Sequence, residues 1–250
     1  MLIDSHCHIN DPVYLKKPEQ YVLEAEQNNV SIMLVVGYDV KSSLDAIKIA
    51  EQFDEVYAAV GIIPAEVKNM KPGDLKEIEK LLTHKKVIAV GEIGLDYYWT
   101  KDNKDKQKEV FENQLKIAEK YNIPVIVHSR DSIQDVYDIL KKYKVRGSIH
   151  AFSGSLEMAN KFIDLGYKLG IGGVITFRNS NLKYVISKID INNIILETDS
   201  PYLSPEPVRG KKNSPLNLKY VVEFIANLNG IGYEEVINIT NENVRQLFDL

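Results

Sequence analysis

Several residue types and patterns are scarce in this sequence, and each absence excludes a class of protein. The 250 residues contain a single cysteine, which excludes a disulfide framework and a zinc site built from thiolates. The longest apolar run, Ile32 to Val36, is far shorter than the ~20 residues of a membrane helix. No basic segment followed by an apolar stretch opens the chain, so we predict no signal peptide and expect a cytoplasmic location.

The net charge of the chain is also small. Lys and Arg number 31 and Asp and Glu 35, giving a net charge of −4. This argues against a protein that coats nucleic acid by bulk charge, although an enzyme can still hold a few phosphates locally. The glycine-rich nucleotide loops GxGxxG and Walker A are both absent from the sequence.

Short β-branched runs alternate with helix-length stretches eight times along the chain. Ile32–Val36 is apolar throughout, as is typical of a parallel sheet covered by helices. We therefore predict a (β/α)8 TIM barrel, one α/β domain over residues 1–250, with two extra C-terminal helices near Leu216–Asn227 and Tyr233–Phe248. A doubly wound open sheet is the alternative, but it favours a glycine-rich phosphate loop. The predicted strands are Leu2–His6, Ser31–Val36, Val56–Gly61, Val87–Glu92, Ile123–His128, Gly147–Ala151, Tyr167–Ile171 and Asn193–Thr198.

Ionisable side chains fall where these strands end. A barrel carries its functional residues at the C-terminal ends of its strands. Two of the histidines are two residues apart on one strand, so both can face the barrel axis. Six converging polar groups are costly to bury unless they are paired or bind metal, so the sequence predicts a metal site. The candidate ligands are His6, His8, Glu92, His128, His150 and Asp199.

The composition of this set restricts the metal. Imidazoles and carboxylates without thiolates suit Zn, Mn, Fe or Mg. Six ligands exceed the needs of one tetrahedral site, so two divalent ions bridged by a carboxylate fit better, with Mg, Mn and Zn all left open. Cys7 and His84 are interpreted as structural, the first as a small buried residue and the second as a solvated loop histidine.

The motifs around these residues resemble, from end to end, those of the TatD family of metal-dependent deoxyribonucleases, which belongs to the amidohydrolase-like barrels. No single motif is as specific as the set taken together. The matching segments are Asp4–His8, Gly91–Tyr97, Pro124–Arg130, His150–Gly154, Glu197–Leu203, Arg209–Pro215 and the closing Asn243 with Leu247-Phe248.

The resemblance implies two ions bridged by one carboxylate. Many related barrels bridge with a carboxylated lysine, but no lysine ends strand four or five here. Family members often carry histidines in a Gly-x-His-Pro-His loop after strand three, where this chain has Ile63 and Ala65. These two side chains neither bind metal nor donate a proton, so the loop beside the ligands differs from the one that family members often carry. The implied ligands are His6, His8 and Asp199 for one ion, His128 and His150 for the other, and Glu92 as the bridge.

Two such metals can clamp a phosphodiester and activate a shared water for attack on phosphorus. We expect Asp199 to orient that water and accept its proton, with Glu92 as the second catalytic residue. Asp4 and Glu197 share strand parity with the ligands, so each is a candidate to fix an imidazole. Arginine binds phosphate bidentately, and exposed aromatic rings stack on unpaired bases. The expected substrate contacts are Arg130, Arg178 and Arg209 with Tyr97, and less specifically Tyr98, Trp99, Lys211 and Lys212.

Three functions follow as hypotheses. The first is a 3′–5′ exonuclease on single-stranded or frayed DNA, with DNA as the partner and no membrane or obligate protein partner expected. The second is a metal-dependent hydrolase of another ester or amide, such as a D-aminoacyl-tRNA deacylase, because a fold does not fix a substrate. The third is a non-catalytic scaffold on a barrel that has lost its activity, but such a protein should have lost ligands and all six are present.

Overall fold

Eight parallel strands form one sheet in sequence order, and the computed structural model describes residues 1–14, 16–99 and 101–250. The residues that follow the last strand are hydrogen-bonded to the end of the first: Asp199 N–H donates to His6 O at 2.9 Å, and His8 N–H to Ser200 O at 2.8 Å. The predicted (β/α)8 barrel is confirmed. The strands are β1 Leu2–Cys7, β2 Val30–Val36, β3 Val56–Val60, β4 Val87–Asp96, β5 Val125–Arg130, β6 Gly147–Ile149, β7 Lys168–Ile171 and β8 Ile194–Leu196.

Helices cover the outside of this barrel. The two expected after β8 are present, the first in the eighth barrel position and the second as an addition. In the described residues, no helix has the length and apolar character needed to cross a membrane. The helices are α1 Pro18–Gln27, α2 Val40–Ala50, α3 Asp74–Leu81, α4 Lys104–Tyr121, α5 Ile133–Leu140, α6 Leu156–Asp164, α7 Leu182–Ile186, α8 Leu218–Asn229 and α9 Tyr233–Phe248.

The apolar core has two layers because successive strand residues point to opposite faces of the sheet. In β2, Met33 and Val35 pack outward against the helices, whereas Leu34 and Val36 point into the barrel. The end of α9, with Phe248, packs against the interior layer. Apolar side chains therefore fill the interior near the N-terminal ends of the strands and leave polar groups to the opposite mouth.

Strand β4 is longer than the sequence indicated. The prediction ended it at Glu92, but pairing with β5 continues to Asp96, which lies in register with Arg130. Strands β6 and β8 are shorter than predicted, so His150 and Asp199 lie just past their ends. The longer β4 brings one more carboxylate to the mouth of the barrel.

Two fully buried glutamines in α4 fix the chain where β3 and β4 end. The side chain of Gln114 accepts from Ile62 N–H at 2.8 Å and donates to Ile62 O at 3.0 Å. Gln107 makes the same pair of bonds with the backbone of Asp96, at 2.9 and 3.1 Å. Because buried backbone groups need partners, these amides hold the loops beside the mouth.

Substituting Gln114→Leu is expected to lower the free energy of unfolding by about 3 kcal/mol. The change keeps the side-chain volume but leaves the buried N–H and C=O of Ile62 without partners, and each such group costs about 1–3 kcal/mol. Urea denaturation measures the effect. Gln134→Leu, at an exposed position of α5, is the matched control and should change stability by less than about 0.5 kcal/mol. Equal effects of the two substitutions would contradict the role of Gln114 in holding the backbone of Ile62.

Candidate metal centre

All six candidate ligands converge at the C-terminal mouth of the barrel. Side chains from β1, β4 and β5 and from the residues just past β1, β6 and β8 form one cluster. Five of the six residues are buried, and His128 is half-buried at the solvent side. The strand ends predicted from sequence therefore meet in one place.

One half of the cluster is built around His6 and His8. Their Nε2 atoms lie 3.1 Å apart. Glu92 Oε2 lies 3.5 Å from the first nitrogen and 3.6 Å from the second. Asp199 Oδ1 lies 3.7 and 3.5 Å from the same two atoms. Four donor atoms thus face a common centre.

The other half shares the same glutamate. Glu92 Oε1 lies 2.8 Å from His128 Nδ1 and 4.0 Å from His150 Nε2. These three residues form a second group of candidate ligands, with the donor atoms within 4.8 Å of one another. Asp199 Oδ1 lies 3.6 Å from His150 Nε2 and so borders both halves. Glu92 offers one oxygen to each half.

Acceptors on the outside of the cluster orient three of the four imidazoles. His8 Nδ1 lies 2.9 Å from Val36 O, and His128 Nε2 lies 3.1 Å from Asp96 Oδ2. His150 Nδ1 lies 2.8 Å from Glu197 Oε1, as an ion pair rather than an aligned hydrogen bond. An acceptor at the outer nitrogen places the proton there and leaves the inner nitrogen with a lone pair, as metal-binding histidines require.

Glycine makes room for one of these outer carboxylates. A Cβ at Gly170 would overlap the carboxylate of Glu197. The same carboxylate accepts from the N–H of Ala151 at 2.7 Å, where the backbone has a left-handed φ of 43°. The turn after β6 and the orientation of His150 are therefore held by one buried side chain.

The pKa values show how these groups share charge. Burial disfavours the imidazolium of His150, but Glu197, Asp199 and Glu92 outweigh it and raise the pKa of His150 to about 10. Burial likewise opposes charge on His128, yet Asp96 and Glu92 raise its pKa to about 9. Burial and the charge of His150 lower the pKa of His6.

The pKa values of the two carboxylates in the cluster are lowered. Burial opposes their ionisation, but His150 and His128 hold the pKa of Glu92 well below its usual range. His150 and His8 lower the pKa of Asp199 against the same effect of burial. The protons on the imidazoles thus occupy places that a bound cation would take, because metal binding displaces protons from its ligands.

The donor geometry fits a divalent metal. Tetrahedral ligands at 2.0–2.1 Å from an ion lie about 3.3 Å from one another. The distances of 3.1–3.7 Å around His6 and His8 match this spacing. Inner lone pairs of imidazoles also repel one another unless a cation or proton lies between them. A metal accounts for the arrangement better than a set of structural hydrogen bonds.

Comparison with known proteins agrees with this geometry. The family model described as TatD related DNase matches residues 3–249. The chain belongs to the TatD-related DNase family. Across 252 residues it is 41% identical to the uncharacterized metal-dependent hydrolase YabD of Bacillus subtilis strain 168, covering 99% of each chain. It is 34% identical to the uncharacterized metal-dependent hydrolase YcfH of Escherichia coli K12, covering 100% of this chain and 96% of the other.

A solved structure supports the same assignment. The crystal structure of YjjV, a TatD homologue from Escherichia coli K12, matches with a TM-score of 0.94 and 31% identity. The match covers 100% of this chain and 98% of that one. The TatD-family resemblance and the barrel fold predicted from sequence are both confirmed.

Two sequence-based expectations need correction in this TatD-family protein. Tyr97 was expected to contact substrate, but its side chain is only 8% exposed and its hydroxyl donates to Asp135 at 2.7 Å. Asp4 was expected to orient an imidazole, but its carboxylate accepts from the N–H and hydroxyl of Thr198. In each case a partner on another part of the chain satisfies the side chain, and Asp4 also accepts from the backbone N–H of His6 at 3.3 Å.

The expected basic residues lie on two sides of the mouth. Arg130 ends β5, close to His128. Arg178 is exposed after the short helical turn that follows β7. Arg209 stacks over Phe177 at 4.1 Å and lies 3.7 Å from a carboxylate oxygen of Glu206. Arg209 therefore shares its charge with a nearby carboxylate, whereas in the described residues Arg130 and Arg178 make no ion pair.

Asp96 is the site residue that sequence reasoning missed. It orients His128 from outside and lies four residues after Glu92. The spacing i, i+4 on one strand was the available signal, because such residues point to the same face. The apolar pattern of β4 ends at Glu92, so it gives no indication that Asp96 continues the strand.

Proposed function

We propose that this protein hydrolyses phosphodiester bonds of DNA with two divalent cations, acting from the 3′ end of single-stranded or frayed strands. The observation that carries the proposal is the convergence of four imidazole nitrogens and two carboxylates, with three imidazoles oriented from outside. Metal ions bound there would supply Lewis acidity and an activated water. The family description and the metal-dependent hydrolase relatives support the same class of reaction.

The chain would hold the two ions with separate sets of side chains. His6, His8 and Asp199 would form one set, and the other would comprise His128 and His150, with Glu92 between them. The lowered pKa values of Glu92 and Asp199 keep both carboxylates ionised at neutral pH, as ligands must be. All six candidate ligands are present, which argues against a barrel that has lost its activity.

Asp199 would accept the proton of the attacking water. Its Oδ1 borders both halves of the cluster, and its carboxylate is more exposed than that of Glu92. A carboxylate within reach of the nucleophile can serve as general base. Arg130 and Arg178 would bind the phosphates of the strand from the rim, since arginine forms bidentate hydrogen bonds to phosphate.

The test is reconstitution of metal-stripped protein with Mg, Mn or Zn in separate reactions. A single-stranded oligonucleotide is labelled at its 3′ end in one reaction and at its 5′ end in another. We expect metal-restored shortening from the 3′ end. Glu92→Gln protein, purified in parallel, should be inactive and so exclude a contaminating nuclease.

Two results would contradict the proposal. Internal fragments from both labelled strands would indicate endonuclease rather than exonuclease action. Absence of cleavage in a protein shown to contain two ions would exclude DNA as the substrate. The same metal-loaded protein would then be assayed on ester and amide substrates, including aminoacyl-tRNA.

Asp96→Asn is expected to weaken binding of one ion by about 10- to 100-fold and to leave the other unchanged. The carboxylate of Asp96 orients His128 alone, and loss of such an outer partner has effects of this size. Metal titration followed by mass spectrometry of bound ions measures the two affinities. Asp135→Asn, which removes a carboxylate bonded to Tyr97 outside the cluster, is the control. Equal weakening of both ions would contradict the assignment of His128 to one ion.

A further inference from the structure

Two exposed aromatic side chains and one arginine lie together beside His128, just past the ends of β4 and β5. Tyr98 is 47% exposed and Trp99 67% exposed, and their rings meet edge to face at a centroid distance of 4.7 Å. The guanidinium of Arg130 lies 4.1 Å from the centre of the Tyr98 ring and 5.3 Å from that of Trp99. We call these three residues the aromatic ledge.

The ledge is held in place by the same carboxylate that orients a candidate metal ligand. Asp96 Oδ1 accepts from the N–H of Tyr98 and of Trp99, each at 2.9 Å. Its Oδ2 lies 3.1 Å from His128 Nε2. The ledge backbone and the metal-facing imidazole are thus tied to opposite oxygens of one buried group. Whatever rests on the ledge lies next to the reactive centre.

The charge on the ledge is available to a ligand. In the part of the chain that the structure describes, Arg130 makes no ion pair with a carboxylate, and its guanidinium lies over the Tyr98 ring. Stacking leaves the N–H edge of a guanidinium free to bind phosphate oxygens. Exposed aromatic faces beside an arginine combine the two contacts that single-stranded nucleic acid offers, a base and a phosphate.

We propose that the aromatic ledge binds an unpaired nucleobase and its adjoining phosphate, and so selects single-stranded over double-stranded DNA. The inference rests on the proposed hydrolysis of DNA and adds the group that recognises the unpaired strand. The base would stack on the open face of Trp99, and Arg130 would hold the phosphate at the edge of the mouth. A paired base within a duplex has no free face for this contact, so duplex DNA would bind only through its phosphates.

Trp99 is the only tryptophan in the sequence, so its fluorescence reports on the ledge without a label. The wild-type chain is titrated, in the presence of a chelator that prevents cleavage, with a thymidine oligonucleotide. An abasic strand of equal length and a duplex are titrated in parallel. We expect quenching by the single strand and none, or far less, by the abasic strand and the duplex. A gel of the titrated strand checks that it stayed intact.

Two variants then separate the contribution of ring stacking to strand binding from that of the arginine charge. Trp99→Ala, followed by the anisotropy of a labelled strand because this variant has no tryptophan, and Arg130→Ala should each weaken single-strand binding by about 5- to 150-fold, the range expected for the loss of one such contact. Tyr121→Ala is the matched control for the first: Tyr121 is 42% exposed and ends α4, at the other end of the barrel. Arg245→Ala, exposed in the last turn of α9, is the control for the second. Both controls should bind like the wild type.

The outcomes distinguish this proposal from the hydrolytic function. Equal quenching by the abasic strand would overturn base recognition. Cleavage by the metal-loaded protein without any quenching would overturn the ledge and leave the hydrolytic function standing. Selective quenching without cleavage by any metal form would support the ledge and overturn the function on which it rests.

Discussion

Glu92→Gln is expected to remove most of the bound metal and to lower hydrolysis by on the order of 10³-fold or more. Glu92 offers a separate oxygen to each half of the cluster, with contacts of 2.8 Å to His128 and 3.5–3.6 Å to His6 and His8. The amide keeps the shape but replaces one anionic oxygen with an N–H donor. That donor repels a cation, so both ions should be affected.

The measurement pairs metal analysis of the purified protein with turnover of a single-stranded oligonucleotide. Glu109→Gln, an exposed glutamate of α4 that pairs with Lys106, should keep both metal and activity. Full metal content in Glu92→Gln would refute the bridging role. Loss of one ion only would assign Glu92 to one half of the cluster.

Asp199→Asn is expected to lower kcat by about 10²- to 10⁴-fold with metal content close to that of the wild type. His6, His8 and Glu92 remain to hold the nearer ion, and the amide keeps an oxygen in the same position. Asparagine cannot accept the proton of the attacking water. The effect should therefore fall on kcat rather than on KM or on the amount of metal.

The assay is steady-state hydrolysis with metal analysis of the same sample. Asp138→Asn, an exposed aspartate paired with Lys141, is the control and should match the wild type. If metal and kcat fell in parallel, Asp199 would act as a ligand only. Unchanged kcat would show that another group accepts the proton. The contrast with Glu92→Gln, which should lose metal first, separates the two carboxylates.

Much of the candidate site could be predicted because its residues follow strands. Apolar β-branched runs locate each strand to within a few residues, and a parallel barrel brings the strand ends together whatever the loops do. Without any distance information, the six candidate ligands were therefore expected at one mouth: His6, His8, Glu92, His128, His150 and Asp199. The fold was predictable for the same reason, since the alternation of strands and helices is local.

Contacts between elements distant in sequence were not predictable in this way. The sequence did not reveal that Tyr97 donates to Asp135 or that Asp4 accepts from Thr198, because each partner lies far away in the chain. The same holds for Gln114, whose partner Ile62 is 52 residues away. The direction of such a side chain depends on which distant group satisfies it, and local periodicity carries no information on that point.

The sequence by itself determined the barrel, the family and the set of six candidate ligands, because strand period and short motifs are local properties of the chain. Only the tertiary structure decided which imidazole nitrogens face the centre, since outer acceptors from other elements place the protons. It also decided that Asp96 serves both His128 and the aromatic ledge, because pairing with β5 carries β4 four residues further than the apolar pattern indicates.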